Sequence, residues 1–342
     1  MQQVFVPVFD MDGKPLMPTK PSRARRWVRD KEAACFFRKG IFCVRLLRPA
    51  SGDQKQRIAV GIDPGSKREG FSVKSNAHTY LNIQAKAVDW VKDAVEVRRT
   101  MRRSRRFRKT PCRKPGPAQA MMGTAKRIPP STKARWQWKL RILWVLASVF
   151  PVTDVVVEDI QAVTKKGKRR WNGSFSPLQV GKDWFYYQIR ALGVALHLCS
   201  GWKTKTLRDN LGLKKTGQKL AEKFSAHCVD AWVLARSIVG GCDKPDNEKL
   251  WCVAPIHLHR RQLHRLQPDK GGIRRRYGST RSLGLRRGSL VQHAKHGLCI
   301  VGGFLKDRIS VHDRSTYKRI TQNVRPEDCK PLAWNAWVNH WA

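Results

Sequence analysis

The stretch "QKQRIAVGIDPGSKREGFSVKS" at residues 54–75 decides how the rest of the chain is read. Its apolar run at 58–62 has the length of a buried strand and delivers a carboxylate, Asp63, to the strand's end. Pro64-Gly65 makes a turn, and a second strand follows around 71–74. "TYLNIQAKA" at 79–87 supplies a third. The expectation is three antiparallel strands with an acid at the end of the first.

Working outward, residues 1–52 read as a small unit. "VFVPVFD" is a strand, "GKPLMPTKP" a turn with three prolines, "SRARRWVRDKEA" a short helix and "IFCVRLL" a second strand. Downstream of the meander, 88–109 contains neither Pro nor Gly, and Trp90, Ala94, Val97 and Met101 recur at helical spacing. Within this segment "VRRTMRRSRRFRKTPCRK" (97–114) has ten Arg or Lys among eighteen residues and no acid. Blocks of like charge are usually solvated and disordered. The apolar stripe argues instead for an amphipathic helix of about 20 residues and about 30 Å. Seated on the core by that stripe, it would turn Arg98, Arg99, Arg102, Arg103, Arg105 and Arg106 away from it, while Arg108 falls on the stripe. Pro111 ends the helix.

Residues 110–130 are a Pro- and Gly-rich connector, and Ser131 is a candidate cap for the helix "STKARWQWKLRILWVLASVF". "VTDVVVEDI" (152–160) is a β-branched strand ending in Glu158 and Asp159. A basic loop (161–176) precedes a helix at 177–198, a short strand at 203–207 and a long helix at 214–239, with Leu220, Phe224, Cys228, Ala231, Ala235 and Ile238 on one face. After a compositional boundary at 240–270, "GLCIVGG" and "RISVHD" suggest a small β-domain.

The chain's 342 residues carry 69 Lys and Arg against 25 Asp and Glu, a net charge of +44 with pI near 10.9. Such a field attracts polyanions, and nucleic acid is the partner it implies. A ribosomal-type structural protein or a membrane-surface binder are the blander readings. Nine cysteines include no C-x-x-C pair, which argues against a disulfide framework or zinc knuckle and for reduced thiols in a cytosolic protein. No leader-like N-terminus and no spanning-length apolar run is found, so no membrane association is expected. The tryptophans of "RWQWKLRILW" and "AWNAWVNHWA" serve either as core or as base-stacking surfaces.

Acids are scarce here, so their placement is informative. Asp63 ends the first strand, Glu158 ends the fourth, and Asp230 lies in the last helix of that series, three residues after His227 on one helical face. Several carboxylates on one site are what two-metal phosphodiester hydrolysis needs, and magnesium suits carboxylate, water and phosphate oxygen. Each residue alone reads equally well as a turn cap, an exposed strand end, an arginine partner or a packed histidine. The order strand–strand–strand, helix, strand, helix, strand, helix is that of an α/β, RNase H-like arrangement, with the acids at its first strand, fourth strand and last helix.

"GIDPGSKREG" resembles the first RuvC motif, "VVVEDI" the second and "SAHCVDAW" the third. "GKPLMPTKPSRARRW" resembles the PLMP segment, and the arginine-rich helix the bridge helix, of the transposon-encoded IscB and IsrB proteins, compact relatives of CRISPR-associated RNA-guided endonucleases. "KGGIRRRYGSTRSLGLRRGSLV" (270–291) is similar to their C-terminal region. Only 72 positions separate Glu158 from Asp230, with no His-Asn-His set between them, so the resemblance is to IsrB, the form without an HNH domain.

The resemblance implies a PLMP domain (1–52), RuvC-like part I (53–87), a bridge helix (88–110), RuvC-like parts II and III (111–240) and a C-terminal domain reading a motif beside the target (241–342). It implies Asp63, Glu158 and Asp230 as ligands of two Mg²⁺ ions (Mn²⁺ substituting), with His227 as the catalytic histidine. A second histidine present in larger relatives is replaced here by Ala226. Arg98, Arg99, Arg102, Arg103, Arg105, Arg106, Arg108 and Lys109 would hold the phosphates of a large structured guide RNA (an omega RNA), one protein per RNA. The implied activity is an RNA-guided nick in the displaced strand of duplex DNA beside a short flanking motif, in a prokaryotic cytoplasm. A guide-independent RuvC-type endonuclease and a non-catalytic RNA-binding protein are the rival readings.

Replacing Arg102, Arg103, Arg105 and Arg106 together with Ala is expected to weaken RNA binding and flatten its salt dependence while leaving the melting temperature nearly unchanged. Filter binding across a salt series checks this, and unchanged affinity at moderate salt would refute the helix's assignment.

Overall fold

The computed structural model describes residues 3–52, 54–109, 128–160, 177–255, 281–314, 316, 318–333 and 337–342. The chain divides into two compact units. One comprises 1–36, 42–253 and 340–342, and the other 37–41 and 254–339.

The first unit begins with β1 (Val6–Phe9), β2 (Pro15–Thr19), α1 (Pro21–Arg29), β3 (Ala33–Arg38) and β4 (Ile41–Leu46), in a sheet of order β2-β1-β4-β3. Val6, Val8, Ala24, Ala33, Val44 and Leu46 form its core. Two expectations are corrected here. The proline-rich "PLMPT" is a strand, not a turn. It is tolerated as one because β2 lies at the sheet edge, where a proline without an N–H breaks no ladder. Helix α1 stops at Arg29 rather than running through Ala33, since Lys31 adopts a left-handed φ of 57° that no right-handed helix continues.

The larger part of this unit is mixed α/β. It contains β5 (Ala59–Asp63), β6 (Arg68–Lys74), β7 (Thr79–Lys86), α2 (Val91–Lys109), α3 (Pro130–Val149), β8 (Asp154–Asp159), α4 (Pro177–Arg190), β9 (Ala195–Ser200), α5 (Gly201–Asn210), α6 (Phe224–Val239) and β10 (Leu250–Pro255). The sheet order is β10-β7-β6-β5-β8-β9, with the last strand, Trp337–Trp341, outside β10. Strands β5, β6 and β7 are antiparallel neighbours, whereas β8 and β9 continue the sheet parallel to β5. The meander expected from residues 54–87 is therefore present, and β8 lies beside its first strand.

Several helical expectations are revised. Ser131 lies inside α3, which starts at Pro130 with Pro129 as its flanking residue and has no side-chain cap. The segment 177–198 is helical only to Arg190. A turn through Gly193 (φ 75°) leads into β9, and "KTKTL", expected as the strand, lies in α5, capped by Ser200 accepting from the Lys203 N–H. The last helix begins at Phe224 rather than 214. The preceding residues are irregular, and Leu220 is exposed.

Helix α2 spans the arginine-rich segment, but its stripe does not seat it on the core. Trp90 is half-buried, whereas Ala94, Val97 and Met101 are exposed. Four apolar side chains, with arginines crowding the stripe from Arg98 onward, cover too little contiguous area to exclude water. In α3, Trp136 and Trp138 are core residues, while Trp144 is half exposed. No described helix is long and apolar enough to cross a membrane. The described cysteines are all free thiols.

One small-residue contact fixes the geometry of the sheet and its helix. On one face of β5 stand Ala59, Gly61 and Asp63, because strand residues two apart share a face. Against them lie Ala235, Ala231 and His227 of α6, four apart along the helix. Two strand residues rise about 6.6 Å and four helical residues about 6 Å, so the two series stay in step. A Cβ on Gly61 would overlap the Ala231 carbonyl, and one on Gly70 of β6 would overlap the His227 carbonyl. Glycine at both positions lets the helix backbone rest directly on the sheet.

The second unit contains β11 (Arg281–Ser282), β12 (Leu285–Arg286), β13 (Leu290–His293), β14 (Gly297–Leu305), β15 (Arg308–Asp313), β16 (Arg319–Val324) and β17 (Cys329–Ala333). Its five-stranded sheet has the order β16-β15-β14-β13-β17, all neighbours antiparallel, around Val291, Cys299, Val301, Ile309 and Val311.

Gly61→Ala is expected to cost about 3 kcal/mol, because only movement of α6 relieves the overlap. Gly52→Ala, whose added Cβ meets nothing within 4 Å, should stay within about 0.5 kcal/mol of the parent. Urea midpoints measure both, and equal midpoints would exclude the close-approach account.

Candidate active site

The register of β5 and β8 brings the first two acids together. Ile62 pairs with Val157, so Asp63 and Glu158, one residue on, lie side by side at the carboxyl ends of adjacent parallel strands. Side chains on paired residues share a face, here the face covered by α6. Gly201 at the head of α5 gives Glu158 its room, since a Cβ there would stand 3.3 Å from Oε1. Asp159 points the other way. Lys182 (2.5 Å) and the Tyr186 hydroxyl (2.9 Å) bind its carboxylate, which separates it from the cluster.

Helix α6 supplies the other two sequence-derived candidates. The Nδ1 atom of His227 lies 3.2 Å from Asp63 Oδ2, and Nε2 lies 2.9 Å from the Lys219 carbonyl. A carbonyl only accepts, so Nε2 carries a proton, and Nδ1 is the ring atom that faces Asp63. Asp230, one turn on, is 3% exposed and held by two cations. Arg208 of α5 donates from Nη1 to its Oδ1 at 2.7 Å, and Lys215 donates from Nζ to its Oδ2 at 2.5 Å. The same ammonium lies 3.3 Å from Asp63 Oδ2. The four expected residues thus gather around one point, with Lys215 bridging two of them.

Lys215 and Arg208 were not legible as site residues. Lys215 falls in a segment expected to be helical, yet Thr216-Gly217 breaks the helix and the Thr216 N–H turns back to the Ser225 carbonyl. That "TG" pair is the signal the sequence offered.

The electrostatics follow from this crowding. Burial alone would push the Asp63 carboxyl up, but the hydrogen bond from His227 and the charge of Lys215 outweigh it and hold it below its ordinary value. For Glu158, burial acts together with the negative charges of Asp63 and Asp230, and its carboxyl is pushed up to about 7. Burial would lower the Lys215 ammonium, but Asp63 and Asp230 more than compensate and raise it. A hard divalent cation fits this donor set: it has carboxylate oxygens, one acid short of a counter-charge, and a cation already bridging two of the others. The acids surround this point rather than converge to one ligand distance. Among the described residues, a different trio, Glu222, Cys252 and His340, brings three ligand atoms within 4.8 Å of one another.

The arginine-rich helix presents Arg98, Arg99, Arg102 and Arg103 to solvent. The side chains of Arg105, Arg106, Arg108 and Lys109 lie outside the described residues, as do the basic loop 161–176 and residues 270–280 of the segment 270–291.

Comparison with known proteins gives three findings. The family model described as "RRXRR protein" matches residues 6–173, just under half of the chain. The pattern in that name is met by "RRSRR" at 102–106. Among solved structures, T. thermophilus RuvC in complex with a Holliday junction substrate is similar at 17% identity and TM-score 0.26, over 52% of this chain and 90% of that one. The yeast mitochondrial Holliday junction resolvase Ydc2 is similar at 11% identity and TM-score 0.26, over 54% of this chain and 78% of that one. No curated protein matches the chain.

A raised carboxyl contributes stability while protonated, fully below its ordinary value of 4.5, and loses it as pH rises through about 7. Glu158→Gln cannot ionise. In chelator it should therefore be more stable than the parent by about 1–2 kcal/mol above pH 7, after allowance for solvent at the rim. The gain should vanish below about pH 4.5. Thermal melts across that range check it, and a pH-independent difference would contradict the charge-crowding account.

Proposed function

We propose that the protein is an RNA-guided DNA nickase, in which a guide RNA pairs with one DNA strand and the site at Asp63 cuts the other. The observation that most supports this reading is the gathering of Asp63 and Glu158, at adjacent strand ends, with His227 and Asp230 of α6 on the face that helix covers. The "RRXRR protein" match adds weight, because residues 6–173 take in the PLMP-like segment, the arginine-rich helix and the first two RuvC-like motifs.

In this reading Asp63, Glu158 and Asp230 would hold the magnesium ions. Magnesium, when bound, activates water and offsets the charge that develops on the leaving oxygen. The chain's own residues prepare that chemistry. His227, fixed through Nε2 on the Lys219 carbonyl, holds or takes a proton at Nδ1 beside Asp63. Arg208 orients Asp230 through Oδ1. Lys215 neutralises Asp63 and Asp230 in the free chain and supplies positive charge beside the place where a phosphate would arrive. The exposed arginines of α2 grip guide-RNA phosphates and position without reading sequence. The second unit, by analogy with the resemblance, reads the motif beside the target.

The test is plasmid nicking in Mg²⁺ by protein purified with co-expressed RNA, using matched and mismatched guides. Nicking that requires the matched guide and disappears in Asp63→Ala is the expected result. Cutting without a guide would identify a structure-specific endonuclease instead. Absence of cutting, with Asp63→Ala behaving as the parent, would leave RNA binding alone.

A further inference from the structure

Away from the carboxylate site, three donors of different chemistry meet at the end of the sheet formed by β10 and the last strand. Glu222 stands just before α6, Cys252 lies in β10 and His340 in the last strand. One ligand atom from each lies within 4.8 Å of the other two. His340 Nε2 is 2.8 Å from Glu222 Oε2, while Arg68 Nη2 approaches the other carboxylate oxygen, Oε1, at 3.6 Å.

The backbone sets up this meeting. The Leu250 N–H donates to the Ala342 carbonyl (3.3 Å) and the Ala342 N–H to the Leu250 carbonyl (2.9 Å), the reciprocal pair of an antiparallel ladder. Two residues inward along each strand, Cys252 and His340 stand opposite each other on one face. On its other side Cys252 is in register with Gln84 of β7, whose side-chain amide donates to the Ala221 carbonyl at 2.9 Å. The residue next to Glu222 is thus tied by a side-chain amide to the strand next to Cys252, while Cys252 and His340 are positioned by the backbone ladder itself.

Cys252 is 2% exposed, whereas the side chains of Glu222 and His340 are 35% and 51% exposed, so an ion can enter from solvent onto a buried sulfur. We infer that Glu222, Cys252 and His340 form a transition-metal site of the zinc class, with the remaining coordination position open to solvent. One sulfur, one imidazole nitrogen and one carboxylate oxygen suit Zn²⁺ or Co²⁺ and are a poor set for magnesium. On binding, the sulfur–metal bond replaces the S–H bond and the proton leaves to water. A bound ion would clasp the last strand to β10 and to the head of α6, the helix that carries His227 and Asp230.

The full-length, metal-free protein should be titrated with Co²⁺ and followed by absorbance. A sulfur-to-cobalt charge-transfer band saturating at one equivalent is expected, and Zn²⁺ should abolish it. Asp63→Asn should retain the band, since the carboxylate site contains no sulfur. Cys252→Ser should lose it. His340→Ala, an exposed position, should weaken Co²⁺ binding by more than the 10–100-fold typical of losing an outer partner, and should abolish the rise in melting temperature that Zn²⁺ gives the parent. Absence of the band in folded parent protein, its survival in Cys252→Ser, or unchanged affinity in His340→Ala would each overturn the site.

Discussion

Everything at the carboxylate site depends on how closely α6 approaches the sheet. Gly61 and Gly70 remove the two methyl groups that would hold the helix off, and the carbonyls of Ala231 and His227 occupy that space. The approach gives His227 its contact with Asp63 and puts Asp230 within reach of the ammonium that also touches Asp63. A helix lifted by a side-chain layer would part His227 from Asp63 and draw Asp230 away from the ammonium the two acids share. Packing and chemistry therefore share one constraint, satisfied by the smallest residue.

Once assembled, the site holds more negative charge than its surroundings balance. Lys215 and Arg208 engage Asp230, and Lys215 and His227 engage Asp63, while the Glu158 carboxyl is pushed up to about 7. Desolvation and named charged neighbours act together on these acids, the combination that candidate functional sites share. The contrast with Asp154 is instructive. Burial raises that carboxyl, but Arg57, Thr153 and His197 bind it and bring it down to about 2, a structural clamp at the opposite end of β8.

Much of this was legible in the sequence where local signals and the fold agree. The run 58–62, the Pro64-Gly65 turn and the β-branched strand before Glu158 each carry their own period or breaker, so the strands holding two of the acids could be placed. The α6 face was legible from Phe224 onward. The failures have physical causes. "PLMPT" was read as a turn because proline's edge-strand tolerance depends on a partner order that no local pattern encodes. "KTKTL" alternates like a strand but is helical once Ser200 caps it. The stripe on α2 has a helical period, yet a period says nothing about whether a partner surface exists. Lys215 was missed because, in a chain of +44, a basic residue beside a Thr-Gly break stands out only once its distances are known.

The parallel pairing of β5 with β8 has a further consequence. The two strands lie about 4.8 Å apart, yet the chain leaves one after Asp63 and returns to the other at Asp154, having built β6, β7, α2 and α3 on the way. The arginine-rich helix is therefore an arc of a covalent loop whose two feet are nailed to the same hydrogen-bonded ladder. It can tilt, but it cannot drift away, and its 19 residues reach about 28 Å along their axis. On the proposed reading, a nucleic-acid strand bound by it would stay tethered to the same stretch of chain that carries Asp63 and Glu158.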